Sequence, residues 1–130
     1  MANFFTDNED LQYYVTKGLD WAPIIESVER GDTSVFADND EALQFYREVL
    51  ETVGRFTAEE VATRAADIDR QGCHVENGEV IEGEAFRTVF KKLDRLGLHG
   101  LPTPRELGGL NAPALVYLIA AEVALGDAGF

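Results

Sequence analysis

A chain of 130 residues is long enough to bury one hydrophobic core and short for two domains. Its 24 Asp and Glu against 11 Lys and Arg leave a formal charge of −13, a field that repels nucleic-acid backbones and anionic lipid surfaces. The single cysteine, Cys73, rules out an internal disulfide framework, and the longest apolar run, residues 112–121, is too short to cross a bilayer. A cytoplasmic protein is therefore expected, with no signal peptide, no membrane span and no nucleic-acid partner. The acidic excess is spread along the chain and reads as solvated helix faces.

In chain order, Thr6-Asp7-Asn8-Glu9 has the form of a capping box, in which Thr6 opens a helix and Glu9 reaches back. That helix runs to about Lys17, with Leu11, Tyr14, Val15 and Leu19 on its buried face, and Gly18 ends it. Asp20 caps a second helix, with Pro23 in the first turn, where a missing amide proton costs little. Trp21, Ile24, Ile25 and Val28 form its apolar stripe, and residues 31–34 read as a linker.

Asp38-Asn39-Asp40-Glu41 is a second capping box, opening the longest helical stretch. Leu43, Tyr46, Val49, Leu50 and Val53 recur there at helical spacing. Gly54 is expected to interrupt it, Thr57 to cap again, and Val61, Ala65 and Ile68 to carry the stripe to Gly72. One bent helix or two abutting ones would satisfy that pattern.

Between short β-prone pairs, Asn77-Gly78 signals a type I′ hairpin near residues 74–81. Phe86, Val89, Phe90, Leu93 and Leu96 mark a further amphipathic helix stopped by Gly97, with Lys91, Lys92 and Arg95 suiting its C-terminal dipole. A glycine- and proline-rich loop follows, and Asn111 is expected to cap the final helix. The fold class is all-α: an antiparallel bundle of five to six helices with one small hairpin.

No catalytic motif stands out. The chain has no phosphate-binding glycine loop, no His-Glu-x-x-His and no nucleophile elbow. His74 and His99 lie apart in presumed loops, so no metal site is assigned, and Cys73 reads as an inert thiol more readily than as a nucleophile. Glu122 is the exception. From residue 112 to 125 only Tyr117 and Glu122 are polar, so the helix is expected to be buried on most sides, and a buried carboxylate must be paired, protonated or wetted. Either Glu122 borders a ligand pocket with Tyr117 and Ile119, or it sits one turn from the helix end and reaches solvent or a structural arginine.

Three stretches in order give the chain a family likeness. They are Phe56-Thr57-Ala58-Glu59-Glu60-Val61 running on to Asp69-Arg70-Gln71-Gly72; Leu96-Gly97-Leu98-His99-Gly100 with Pro104-Arg105-Glu106-Leu107-Gly108-Gly109-Leu110; and the apolar helix with Glu122-Val123-Ala124-Leu125-Gly126-Asp127. Together they resemble the N-terminal helical domain of the acyl-CoA dehydrogenases, in its longer bacterial type. The likeness covers residue 41 to the end, so residues 1–40 are expected to be an N-terminal helical extension and 41–130 the family domain. It implies a flavoenzyme that oxidises fatty acyl-CoA thioesters between the α and β carbons, with FAD taking the hydride. It also implies that Tyr117, Ile119 and Glu122 line the acyl chain.

In that family the flavin contacts and the catalytic glutamate belong to a following β domain and a C-terminal helical domain. No catalytic or cofactor residue is therefore assigned on this chain, which is expected to bind no FAD alone and to act with the remaining domains or a complementary chain. The alternative is a free-standing acidic helical module that binds a protein partner or an acyl ligand. Uncovered apolar surface on the last helix would favour a homo-oligomer.

Overall fold

The computed structural model describes residues 2–29 and 34–125. Most of the predicted linker at 31–34 and the terminal Gly126-Asp127 pair lie outside them. In chain order the elements are α1 (Glu9–Tyr13), a π turn (Tyr14–Gly18), α2 (Trp21–Val28), α3 (Asn39–Phe56), a second π turn (Thr57–Val61), a 3₁₀ turn (Ala62–Arg64) and α4 (Ala65–Gln71). Strands β1 (Cys73–Glu76) and β2 (Glu79–Glu82), α5 (Glu84–Arg95), 3₁₀ turns at Leu98–Gly100 and Arg105–Leu107, and α6 (Ala114–Leu125) complete it. The architecture is all-α with one hairpin.

The axis of the bundle is α3, which packs against α2 on one side and α6 on another. Its start follows the capping logic: Asp38 accepts from the Glu41 amide at 2.8 Å, and Glu41 reaches back to the Ala37 amide. Ala42, Tyr46, Val49, Leu50 and Val53 face inward and meet Val116, Ile119, Ala120 and Val123 of α6. Each such side chain, when fully buried, contributes roughly 1.5–3 kcal/mol of transfer free energy. Phe5, Leu11, Val15, Trp21 and Ile25 belong to the same cluster, so the described residues of the first 40 share one core with the rest.

Several local expectations give way to better-placed competitors. Helix α1 is capped by Asn8, whose side chain accepts from the Leu11 amide at 3.1 Å, and not by Thr6. The Thr6 amide is already taken by the Asn3 side chain, which also holds the Phe5 amide. Tyr14 is 53% exposed, because the π turn that starts there rotates it off the buried face. Gly54 does not interrupt α3. A β-carbon there would lie 2.1 Å from Asn3 Oδ1 and 2.6 Å from the Phe5 nitrogen, so the glycine makes room for the N-terminal segment. The Phe4 amide donates to the Gly54 carbonyl at 3.2 Å, and the Asn3 side-chain amide to Glu51 at 3.0 Å.

Thr57 does not cap a new helix; its hydroxyl donates back to the Val53 carbonyl at 2.8 Å. The chain therefore runs on from α3 through the π and 3₁₀ turns into α4, the abutting version of the sequence pattern. Glu60 in this stretch bridges to α5, bonding both Lys92 and Arg64. Those bonds, led by the one from Lys92, hold its carboxyl below the ordinary value against a smaller upward push from burial.

The hairpin stands clear of the bundle. β1 and β2 pair antiparallel, with Val75 opposite Val80, across a turn in which Asn77 (φ 52°) and Gly78 (φ 84°) are both left-handed, as a type I′ turn requires. Val75 and Val80 are exposed. Among the described residues, no helix is long and apolar enough to cross a membrane.

Candidate functional site

The loop between α5 and α6 is built to hold one shape. Gly97 (φ 68°) ends α5 in the left-handed region, and Gly108 (φ 87°) ends the second 3₁₀ turn the same way. The Gly100 carbonyl accepts from the Thr103 and Leu110 amides, each at 3.1 Å, and the Thr103 carbonyl accepts from Asn111 at 2.9 Å. Gly109 is packed so close that a β-carbon would lie 2.1 Å from the Thr103 carbonyl oxygen. Asn111 does not cap α6. It takes a left-handed conformation (φ 53°), and its side-chain amide donates to Val28 at the end of α2, 3.0 Å away.

The same end of α2 supplies a buried carboxylate. Glu29, whose side chain is 4% exposed, receives both guanidinium nitrogens of Arg105 in a fork, one of them at 3.0 Å. The Tyr46 hydroxyl donates to Glu29 at 3.4 Å, and the Arg105 guanidinium lies 5.4 Å from the centre of the Phe36 ring. Burial pushes the Glu29 carboxyl up, but the bonds and charge of Arg105, helped by Ser34 and Asn111, outweigh it and hold the group below its ordinary value. Burial, followed by the charge of Glu29, pushes the Tyr46 phenol well above its usual range. Neither partner stands out in the sequence, because a pair 76 positions apart leaves no local pattern.

Beside this loop lies an open groove of about 260 Å³ between α5 and α6. Its lining is mainly apolar, with Leu93, Leu98, Leu101 and Leu125 among the side chains, and Tyr117 and His99 are its polar members. His99 lies tilted against Phe90 with ring centres 5.2 Å apart, and its Nε2 is 3.8 Å from an Asp94 carboxylate oxygen.

Of the three residues read from sequence as acyl-lining, Tyr117 lines this groove and is 47% exposed. Ile119 is buried in the core, turned toward α3. Glu122 is exposed and borders a different, larger concavity of about 670 Å³, shared with Asp7, Glu9 and Asp10. The structure does not bring the three to one cavity, and a mouth of four carboxylates repels the phosphates of a coenzyme. Helix α6 is also less covered than expected: Tyr117, Leu118 and Leu125 stand 47%, 59% and 49% exposed along it. An exposed carboxylate with no drawn-in partner has little to lose. Glu122→Gln is therefore expected to shift stability by less than about 0.5 kcal/mol, checked by urea unfolding. A loss above about 2 kcal/mol would reveal an ion pair that the exposed placement does not provide.

The acyl-CoA dehydrogenase N-terminal domain family matches residues 44–130, the whole of the loop, groove and α6. The chain belongs to that family. It is 34% identical over 91 residues to a 3-methylmercaptopropionyl-CoA dehydrogenase of Ruegeria pomeroyi, covering 64% of this chain and 16% of that one. It is 34% identical over 74 residues to a probable acyl-CoA dehydrogenase, YngJ, of Bacillus subtilis, covering 57% and 17% respectively. The chain spans about a sixth of the length of these curated relatives.

Proposed function

We propose that this chain is the N-terminal acyl-binding domain of an FAD-dependent acyl-CoA dehydrogenase, and that the acyl chain of a thioester lies against the groove between α5 and α6. The observation that carries the reading is the coincidence of a mainly apolar groove and an uncovered helix face within the segment that the family matches. Tyr117 supplies an aromatic wall with a polar tip at that groove. Ile119 supports α6 from behind, and Glu122 stays outside the acyl path.

Neither of these two concavities suits FAD by itself. One concavity is carboxylate-rich and would repel a pyrophosphate, and the groove is small and apolar. The flavin and the catalytic base would come from the domains that complete the enzyme. The lone cysteine, exposed and free, suits a reducing cytosol.

The test is reconstitution. Co-purified with a complementary chain carrying the β and C-terminal domains, this chain is expected to restore flavin absorbance and turnover of octanoyl-CoA. The thioester named in the Ruegeria relative is the second substrate to assay. Tyr117→Ala should raise KM by about tenfold, the loss of roughly 1.4 kcal/mol of contact, with kcat little changed. A folded partner that binds the chain but takes up no flavin would refute the reading. The exposed face of α6 also favours a second one, a module that docks a protein partner or another copy of itself. Light scattering of the chain alone separates them: a discrete oligomer supports the second reading, and a monomer that binds only the complementary chain supports the first.

A further inference from the structure

We propose that Glu29 is a positioning residue for the acyl groove: by gripping Arg105 it fixes where the loop of residues 97–111 sits, and with it the groove wall made by Leu98, His99 and Leu101. The proposal rests on the reading of the groove given above. Internal bonds among Gly100, Thr103, Leu110 and Asn111 set the loop's shape, but they do not attach it to the bundle. Attachment comes from elsewhere. At one end Leu101, 3% exposed, is set in the core, and its carbonyl accepts from the Ala112 amide at 2.8 Å. At the other end Arg105 forks Glu29, and Asn111 donates to Val28, so both of these ties run to the end of α2.

Apolar packing of Leu98, Leu101 and Leu110 on the core and two ties to the end of α2, from Arg105 and Asn111, together place the loop. With the Arg105 fork lost, the single Asn111–Val28 bond is the remaining polar tie to α2, and the loop would shift on its apolar contacts, carrying Leu98 and His99, which line the groove. The chemistry of the tie supports a positioning role. A buried ion pair contributes little net stability compared with apolar packing, yet a two-bond fork fixes both distance and angle. The Phe36 ring under the guanidinium restricts it further. Residue 29 lies before the segment that the family matches, so the N-terminal segment would tune the site of a domain that begins after it.

The test uses Glu29→Gln in this chain, with Arg105→Lys as a second variant should the first fail to fold. In the chain alone, NMR is expected to show a weakened Phe90–His99 ring contact and shifted His99 ring signals. Amide exchange at Thr103 and Leu110 should stay within about threefold of the parent, because the loop moves as a body and does not open. In the reconstituted enzyme, KM for octanoyl-CoA should rise at least about fivefold, with kcat within about twofold. An unchanged Phe90–His99 contact would overturn the proposal, as would loop amides that lose protection together with it, which is simple unfolding. A moved contact with unchanged KM would also overturn it, since the loop would then be placed without consequence for substrate. If the parent enzyme turns over no acyl-CoA, the groove reading has failed, and the ring contact still decides whether Glu29 places the loop.

Discussion

Replacing Arg105 with alanine is expected to destabilise the chain by about 3–5 kcal/mol, read as a fall in the urea midpoint at neutral pH. The loss exceeds what the pair itself contributes, because Glu29 would remain a carboxylate, 4% exposed, without its fork. The pH dependence makes the origin testable. In the parent, Glu29 titrates below its ordinary value, so its contribution is present above the unfolded-state pKa and fades as pH falls through the lowered folded value. Without Arg105 the main causes that lower the carboxyl vanish and burial, which raises it, remains. The Ser34 and Asn111 bonds still lower it, but with burial as the largest cause the folded value is expected to rise, and stability is then lost as pH rises through it. The penalty of Arg105→Ala should therefore shrink between about pH 7 and about pH 4. A penalty constant over that range would mean that the fork acts through packing on Phe36 and not through charge.

Gly54→Ala is expected to cost about 3 kcal/mol or more, although alanine is intrinsically the better helix former by roughly 1 kcal/mol. The added methyl would meet the Phe5 backbone nitrogen at 2.6 Å and its β-carbon at 2.8 Å, atoms that cannot swing aside. Relief requires the N-terminal segment to lift, which exposes Phe5 (0% exposed) and breaks the Phe4–Gly54 and Asn3–Glu51 bonds. Thermal melts of the variant beside a chain truncated before residue 7 would check the cause. Similar losses in both are expected; a substitution much milder than the truncation would show that α3 can yield at this point.

What can be read from the sequence divides along physical lines. Periodic burial in α2 and α3, the Asp20 and Asp38 caps, the Gly72 and Gly97 stops and the Asn77-Gly78 turn all follow from neighbours a few residues apart. The stripe of α5, by contrast, is buried at Val89 but leaves Phe90 and Leu96 47% and 39% exposed. Contacts across the chain do not announce themselves. Gly54 reads locally as a breaker because its reason, the approach of Asn3 and Phe5, comes from about 50 positions away. Asn111 has the composition of a cap, yet its amide is drawn to Val28 on α2. In α6 the run of apolar residues has no period, so it does not reveal which side faces α3 and which side faces outward. That is why Tyr117, Ile119 and Glu122 read as one group in sequence, although they fall in three different surroundings. The Glu29–Arg105 fork and the place of His99 in the same groove as Tyr117 need the fold itself.

The hairpin has a practical use that follows from its isolation. Every residue from 71 to 80 is exposed, and the turn at Asn77-Gly78 touches nothing that an added β-carbon would meet at Gly78. Lengthening such a tip costs little, since each doubling of a flexible loop adds only about 0.6 kcal/mol of closure entropy. An affinity tag or a small reporter grafted there would ride outside the bundle. The chain's sole thiol, Cys73 at the hairpin's base, offers a single unambiguous point for a dye. The molecule thus carries its own mounting bracket, from which the proposed docking on α6 can be tested without altering the core.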